Sequence, residues 1–198
     1  IDFEIRNAIN GDRVRSLLLK LVASNEFKVA TRKSIKDKRM ADRECAVRFL
    51  AFKLADIPNY NNTDFDAFLN TTMKTLNDPL EISDEKLQEL EKDFLKAMDR
   101  SRRALGTHAF RKYYGSGYRL SPISKALFES WSVCLSELTE SETSKLIEMK
   151  KELLHQFSLL MNDAEFSKSI SQGTGSPSSI RVRFRKIKAL IDGVIAND

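Results

Sequence analysis

A chain of 198 residues is long enough for one domain and buries roughly 70% of its unfolded surface, so it needs no disulfide or metal staple. Hydrophobic residues make up 41% and charged residues 31%, with only 7 Gly and 4 Pro, which excludes a disordered chain, and no run of about 18 apolar residues provides a transmembrane span. The net charge of +5 is uneven, with 12 basic and 7 acidic residues in 1–50, 6 and 11 in 51–100, and 15 and 10 in 101–198, so the charge predicts patches and not a uniformly basic surface.

The opening residues do not read as a signal peptide. Phe3 to Ile9 is a short amphipathic piece that stops near Asn10 and Gly11. Asp12 is placed to cap "RVRSLLLKLVAS", whose Val14, Leu17, Leu18, Leu21 and Val22 form one stripe. "NEFKVAT" adds one or two turns, and "RKSIKDK" is a basic connector. "RMADRECAVRFLAFKL" runs helical from Arg39 to about Ala55, and Pro58 prevents its continuation.

Thr63 is the expected cap of a helix that turns Phe65, Phe68, Leu69, Thr72, Met73 and Leu76 inward. Ser83 caps a long helix to about Leu105, ended by Gly106. "THAFRKYYGSGYRL" is a helical turn followed by a loop with two glycines. Ser121 and Pro122 suit the start of a helix to about Leu138. A further helix is expected from about Ser141 through Met161, then a short one over "DAEFSKSI". After the loop "SQGTGSPSS", the last helix is expected from Ile180 to about Ile195. No segment alternates with a strand period, and no repeat is found. The expected fold is all-α: one compact bundle of about eight or nine helices without a sheet, covering residues 1–198.

The Arg39–Leu54 stretch places charges at the start of a helix that is otherwise apolar. Glu44 and Arg48 are four apart with Glu first, the favourable order for an ion pair. Arg48 can also reach a carboxylate or carbonyl on a neighbouring helix. Asp42 and Glu44 suit the positive end of the helix dipole. Asp42, Glu44 and Arg48 are therefore read as a structural ion-pair network, with a polar wall facing a partner or a ligand phosphate as the other reading.

No residues stand out as catalytic, cofactor-binding or metal-binding. His108 and His155 lie far apart, and no His or Cys pair has zinc spacing. Cys45 and Cys134 lie in apolar helical patterns and read as reduced core thiols. Ser83 and Lys86 match Ser-x-x-Lys, but at a helix start the serine is a cap. Glu148-Met-Lys150 has a nuclease-like order without the strand that would present it. "GTGSPSS" offers backbone N–H groups to a phosphate beside Arg181 and Arg183, yet no strand precedes it and a connector is the plainer reading.

Two basic stretches point to nucleic acid. Residues 28–43 carry Lys28, Arg32, Lys33, Lys36, Lys38, Arg39 and Arg43 against Asp37 and Asp42. Residues 100–119 carry Arg100, Arg102, Arg103, Arg111, Lys112 and Arg119 without an acid, interleaved with Phe110, Tyr113, Tyr114 and Tyr118. Cations for phosphates beside rings for bases are the composition of a nucleic-acid surface. The candidate contacts are Arg100, Arg102, Arg103, Arg111, Lys112, Tyr113, Tyr114, Arg119, Lys33, Lys36 and Arg39. A solvated basic face, with Phe110 and a tyrosine in the core, is the alternative.

"EIRNAI" (Glu4 to Ile9) followed by "RMADRECAVRFLAF", "FLNTTM" (Phe68 to Met73), "FLKAM" (Phe94 to Met98), "HAFRK" (His108 to Lys112), "SKALFESWSV" (Ser124 to Val133) and "SQGTG" (Ser171 to Gly175) resemble, in order, the helical half of the ParB-like, GmrSD-type restriction-subunit family. Ala46 is smaller than the residue usual there. The resemblance implies a longer bacterial or archaeal protein. Its upstream ParB/sulfiredoxin-like α/β domain would carry an Asp-Gly-Gln-Gln-Arg-type motif, with nucleotide and magnesium bound there. An HNH nuclease module would be fused or act as partner. This chain contains neither motif, so the resemblance implies a fragment whose chemistry lies outside it. The expected role is a non-catalytic, cytoplasmic helical domain for defence against modified or foreign DNA, with DNA as a possible ligand and no membrane. The alternative is a protein-binding module without nucleic acid, in which the acidic 51–100 segment complements the basic patches.

Overall fold

Helix-start chemistry places most of the elements. Ser24, Asp64, Ser83, Ser124, Thr139 and Asp163 each accept a hydrogen bond from the backbone N–H three residues on, which satisfies a donor that the helix itself leaves open. Thr139 and Glu142 close this bond in both directions as a capping box. The structure, a computed structural model, describes residues 11–35 and 40–196. Within them lie ten α-helices: α1 (Asp12–Ala23), α2 (Asn25–Ala30), α3 (Ala41–Leu54), α4 (Phe65–Asn77), α5 (Asp84–Leu105), α6 (Lys125–Ser136), α7 (Glu140–Glu148), α8 (Lys150–Leu160), α9 (Ala164–Ser169) and α10 (Pro177–Ala196). A 3-10 turn spans Gly106–His108. No strand forms among the described residues, where a lone bridge joins Arg111 to Ile123, and the fold is all-α as the periodicity predicts.

The boundaries depart from the sequence reading in instructive places. The cap of α1 is Gly11, because Asp12 is already helical and its carboxylate turns to Arg15. The cap of α4 is Asp64, not Thr63. The helix expected from Ser121 starts only at Lys125, since Ile123 is held against Arg111 and the Ser121 carbonyl accepts from the Arg111 guanidinium. The long helix expected from Ser141 to Met161 is two, α7 and α8, turning at Met149 with ψ 19°. The last helix starts earlier, at Pro177, where proline suits a first turn and the Ser176 hydroxyl caps Ser179 N–H. The piece expected over Phe3 to Ile9 lies outside the described residues.

Helix α6 is the axis of the fold. All its residues after Lys125 are buried, and α5, α3 and α10 pack around it. A helix enclosed on all sides is apolar all round, and beyond Lys125 α6 obeys except for one carboxylate, Glu129, and three serines. The serines, Ser130, Ser132 and Ser136, all bond back to carbonyls of their own helix. Rings knit the layers: Phe27 and Phe49 meet Phe94, Phe110 meets Phe128, and Phe52 gathers Tyr60, Phe65, Phe68 and Phe184. Cys45 and Cys134 are free and buried, and burial pushes both thiols up to about 12. Among the described residues, no helix is long and apolar enough to cross a membrane.

Candidate functional site

The first polar constellation lies in the interior. Lys125 Nζ is 2.5 Å from Glu44 Oε2. Arg48 donates to the other Glu44 oxygen at 3.0 Å through Nε and to Glu129 Oε2 at 2.9 Å. Glu129 then meets the Arg183 guanidinium, whose Nη1 donates to Thr174 O at 2.8 Å and Ser169 O at 3.4 Å. The Arg48 guanidinium also sits 4.6 Å from the centre of the Phe65 ring. The ion pairs and hydrogen bonds pin five elements this way: α3, α6, the end of α9, α10 and the loop before α10. Burial pushes the Glu44 carboxyl up, but Arg48 and Lys125 more than offset it and hold it below its usual value. Burial lowers Arg183 despite the opposing charge of Glu129. Burial also lowers Arg48, but Glu129 and Glu44 outweigh it and leave Arg48 raised. Beside them, burial and then Glu129 push the Tyr60 hydroxyl up to about 12.

The expected pairing of Glu44 with Arg48 is therefore present, and Arg48 does reach a neighbouring carboxylate. Asp42 sits in the first turn of α3, where its carboxylate accepts from Arg43 N–H at 2.7 Å. Sequence reasoning missed Glu129 and Arg183. The available signal was a lone acid in "KALFESWSVCL", an apolar helix that needs an opposite charge for it. Arg183 sits between Val182 and Phe184 but within the basic run Arg181 to Lys186, which hides it.

Two of the arginines expected at a nucleic-acid surface belong to the interior instead. Arg100 is 4% exposed and donates to the Leu135 and Ser136 carbonyls at 3.0 and 3.2 Å, with Glu140 at 2.6 Å. It satisfies carbonyls that the end of α6 leaves open. Arg111 is 5% exposed, donates to Ser121 O at 2.5 Å and bonds the Ser34 hydroxyl. A guanidinium fits such tasks because it offers five donors in a fixed fork.

The other candidates divide by exposure. Tyr113 is half-buried between His108, at 4.4 Å, and Phe157, at 6.5 Å. Lys112 donates to the Ser171 hydroxyl at 2.8 Å. Arg102 and Arg103 are exposed on the last turn of α5, paired with Asp99 at 3.0 and 3.4 Å. Lys33, Arg119, Tyr114 and Tyr118 are exposed. Lys36 and Arg39 lie outside the described residues.

Arg111 ties these exposed groups together. By bonding Ser34 and Ser121 at once it brings the turn after α2 against the loop before α6, so the two basic stretches of the sequence meet. Arg32 is close enough that its charge helps lower Arg111, second to burial. Arg32 and Lys33 both adopt left-handed backbone, φ 54° and 52°, in a turn closed by Lys33 N–H donating to Lys28 O at 2.9 Å. Phe110, at φ 63° and fully buried against Phe128, anchors the other side.

A third feature is a groove of about 890 Å³ between the end of α3, α6 and the outer face of α10. Its floor includes Ile57, Pro58, Val133 and Val182, and its rim carries both Arg185 and Lys188 and Asp56 and Glu137. The remaining motifs resolve structurally: Ser83 caps Lys86 N–H at 3.3 Å, and Lys150 Nζ donates to Arg103 O at 3.1 Å. Among the described residues, no three His, Cys, Asp or Glu side chains gather in a way that could hold a metal. No family model, no curated protein and no solved structure matches this chain.

Proposed function

We propose that this chain is a non-catalytic helical domain of a bacterial, cytoplasmic, GmrSD-like protein of modification-dependent restriction or phage defence. In that setting it supports a nucleotide-hydrolysing or nuclease module and contacts nucleic acid. The observation that supports the reading is the joining of two basic stretches by buried Arg111, which concentrates Arg32, Lys33 and Arg119 where the chain exposes tyrosines. Nucleotide and magnesium would belong to the ParB-like module, and an HNH nuclease would be a partner. Phosphate neutralisation predicts a salt-dependent affinity whose slope falls by roughly 0.9 for each cation removed on a duplex. The triple substitution Arg32→Ala, Lys33→Ala, Arg119→Ala is expected to weaken binding across sequences and flatten that slope. Unchanged binding by the triple variant would remove the reading. The isolated chain is expected not to hydrolyse nucleotide or DNA, and measurable hydrolysis by it would overturn the non-catalytic part.

The second reading is a protein-interaction module without nucleic-acid binding, favoured by the apolar groove beside α10. It predicts no shift of labelled DNA at low salt. It also predicts that Ala189→Glu, in the groove wall, disrupts capture by a GmrSD-like α/β module.

A further inference from the structure

The loop between Arg111 and Ile123 exposes apolar surface that nothing in the fold uses. Tyr118 is 68% exposed, Tyr114 38% and Leu120 37%. The two tyrosine rings lie 5.9 Å apart at 49°, so they support each other yet are not stacked flat. Gly115 and Gly117 shape the loop with φ 113° and 93°, and a Cβ on either would meet nothing within 4 Å. The glycines therefore serve backbone shape and leave the space around the rings open. Arg119 is exposed between Tyr118 and Leu120. Arg111 holds the turn with Arg32 and Lys33 against the base of the same loop. Among the described residues, none of these three cations forms an ion pair, in contrast to Arg102 and Arg103, which Asp99 occupies.

We propose that this loop is a stacking platform for a single-stranded polynucleotide, with bases laid on Tyr118 and Tyr114 and phosphates met by Arg119, Arg32 and Lys33. This rests on the nucleic-acid reading above and goes beyond it by naming the strand state. A duplex hides its base faces, and reading it through the major groove requires a helix or a two-stranded ribbon. A short loop presenting rings and cations suits unstacked bases, because every base has a π-face and every linkage a charge. Exposed tyrosines would have no such use against a duplex backbone.

The test measures fluorescence anisotropy of the full chain with labelled dT20, rU20 and a 20-base-pair duplex at low salt. Both single strands, or one of them, are expected to bind at least about tenfold more tightly than the duplex, and the tighter of the two identifies DNA or RNA as the source. Tyr114→Ala with Tyr118→Ala is expected to lower single-strand affinity at least about tenfold and to leave duplex affinity unchanged. Tyr118→Phe, which keeps the ring, is expected to retain binding. Equal affinity for single strand and duplex, unaffected by the tyrosine variant, overturns the platform while leaving the electrostatic reading intact. No binding of any polynucleotide overturns both. Poly-glutamate binding as tightly as dT20 also overturns the proposal and marks the surface as one for acidic protein.

Discussion

Glu129 and Arg183 face each other with neither side chain exposed to solvent. One lies on the central helix α6 and the other on α10, and Arg48 of α3 takes the second oxygen of the same carboxylate at 2.9 Å. Three helices are thus registered by one carboxylate. Such a site contributes little net stability relative to apolar packing, yet breaking it is costly because an unpaired charge stays buried.

Removing the shared partner is therefore worse than removing one of its two arginines. Glu129→Gln leaves two guanidinium groups facing each other and is expected to destabilise the chain by about 3–5 kcal/mol. Arg183→Met leaves Glu129 paired with Arg48 and is expected to cost about 1–3 kcal/mol. Urea-unfolding midpoints of the two variants measure the order, and the reverse order would contradict the shared-carboxylate account.

Arginines of one short stretch should behave in opposite ways. Arg100→Met strips the buried Leu135 and Ser136 carbonyls of a donor, and Arg111→Met strips the partly buried Ser121 carbonyl and the Ser34 hydroxyl of theirs. Each is expected to cost about 1–3 kcal/mol. Arg102→Ala and Arg103→Ala, exposed and paired only with Asp99, are expected to stay within about 0.5 kcal/mol of the parent. For Arg111→Met, amide exchange should rise in the loop 112–122 and in the turn 31–35 together, since one side chain holds both.

Acid should weaken the interior network through Glu44. Its carboxyl is held below the ordinary value in the folded chain, net of burial acting the other way, by Arg48 and Lys125. The stabilisation is fully present above the unfolded value of about 4.3 and is lost as pH falls through the lower folded value, where the unfolded chain already holds the proton. The melting temperature should drop below about pH 4, and Glu44→Gln should lower it at neutral pH while flattening that drop.

The thiols offer a simple probe of tight packing. Both are pushed up to about 12 by burial, so almost no thiolate exists at neutral pH. Labelling with a disulfide reagent should be slow for both in the native chain and fast in denaturant. Cys134, at 8% exposed on the groove wall, should react before Cys45 at 1%. Rapid native labelling of Cys45 would mean that α3 opens readily.

Local chemistry was legible in the sequence wherever neighbours along the chain decide the outcome. The apolar stripe of α1, the Ser83 cap, the Gly106 stop at φ 60° and the Glu44–Arg48 pair all depend on spacings of three or four residues, which helix geometry dictates directly. What lay beyond the sequence were partners far apart in it. Glu129 and Arg183 are 54 residues apart, and Arg111 reaches Ser34 across 77. A basic run such as 100–119 carries no local mark that separates Arg100 and Arg111, drawn inward by unsatisfied carbonyls, from Arg119, left in solvent. That distinction arises only when helices meet, because desolvation cost and the geometry of available acceptors are properties of the packed chain and not of its composition.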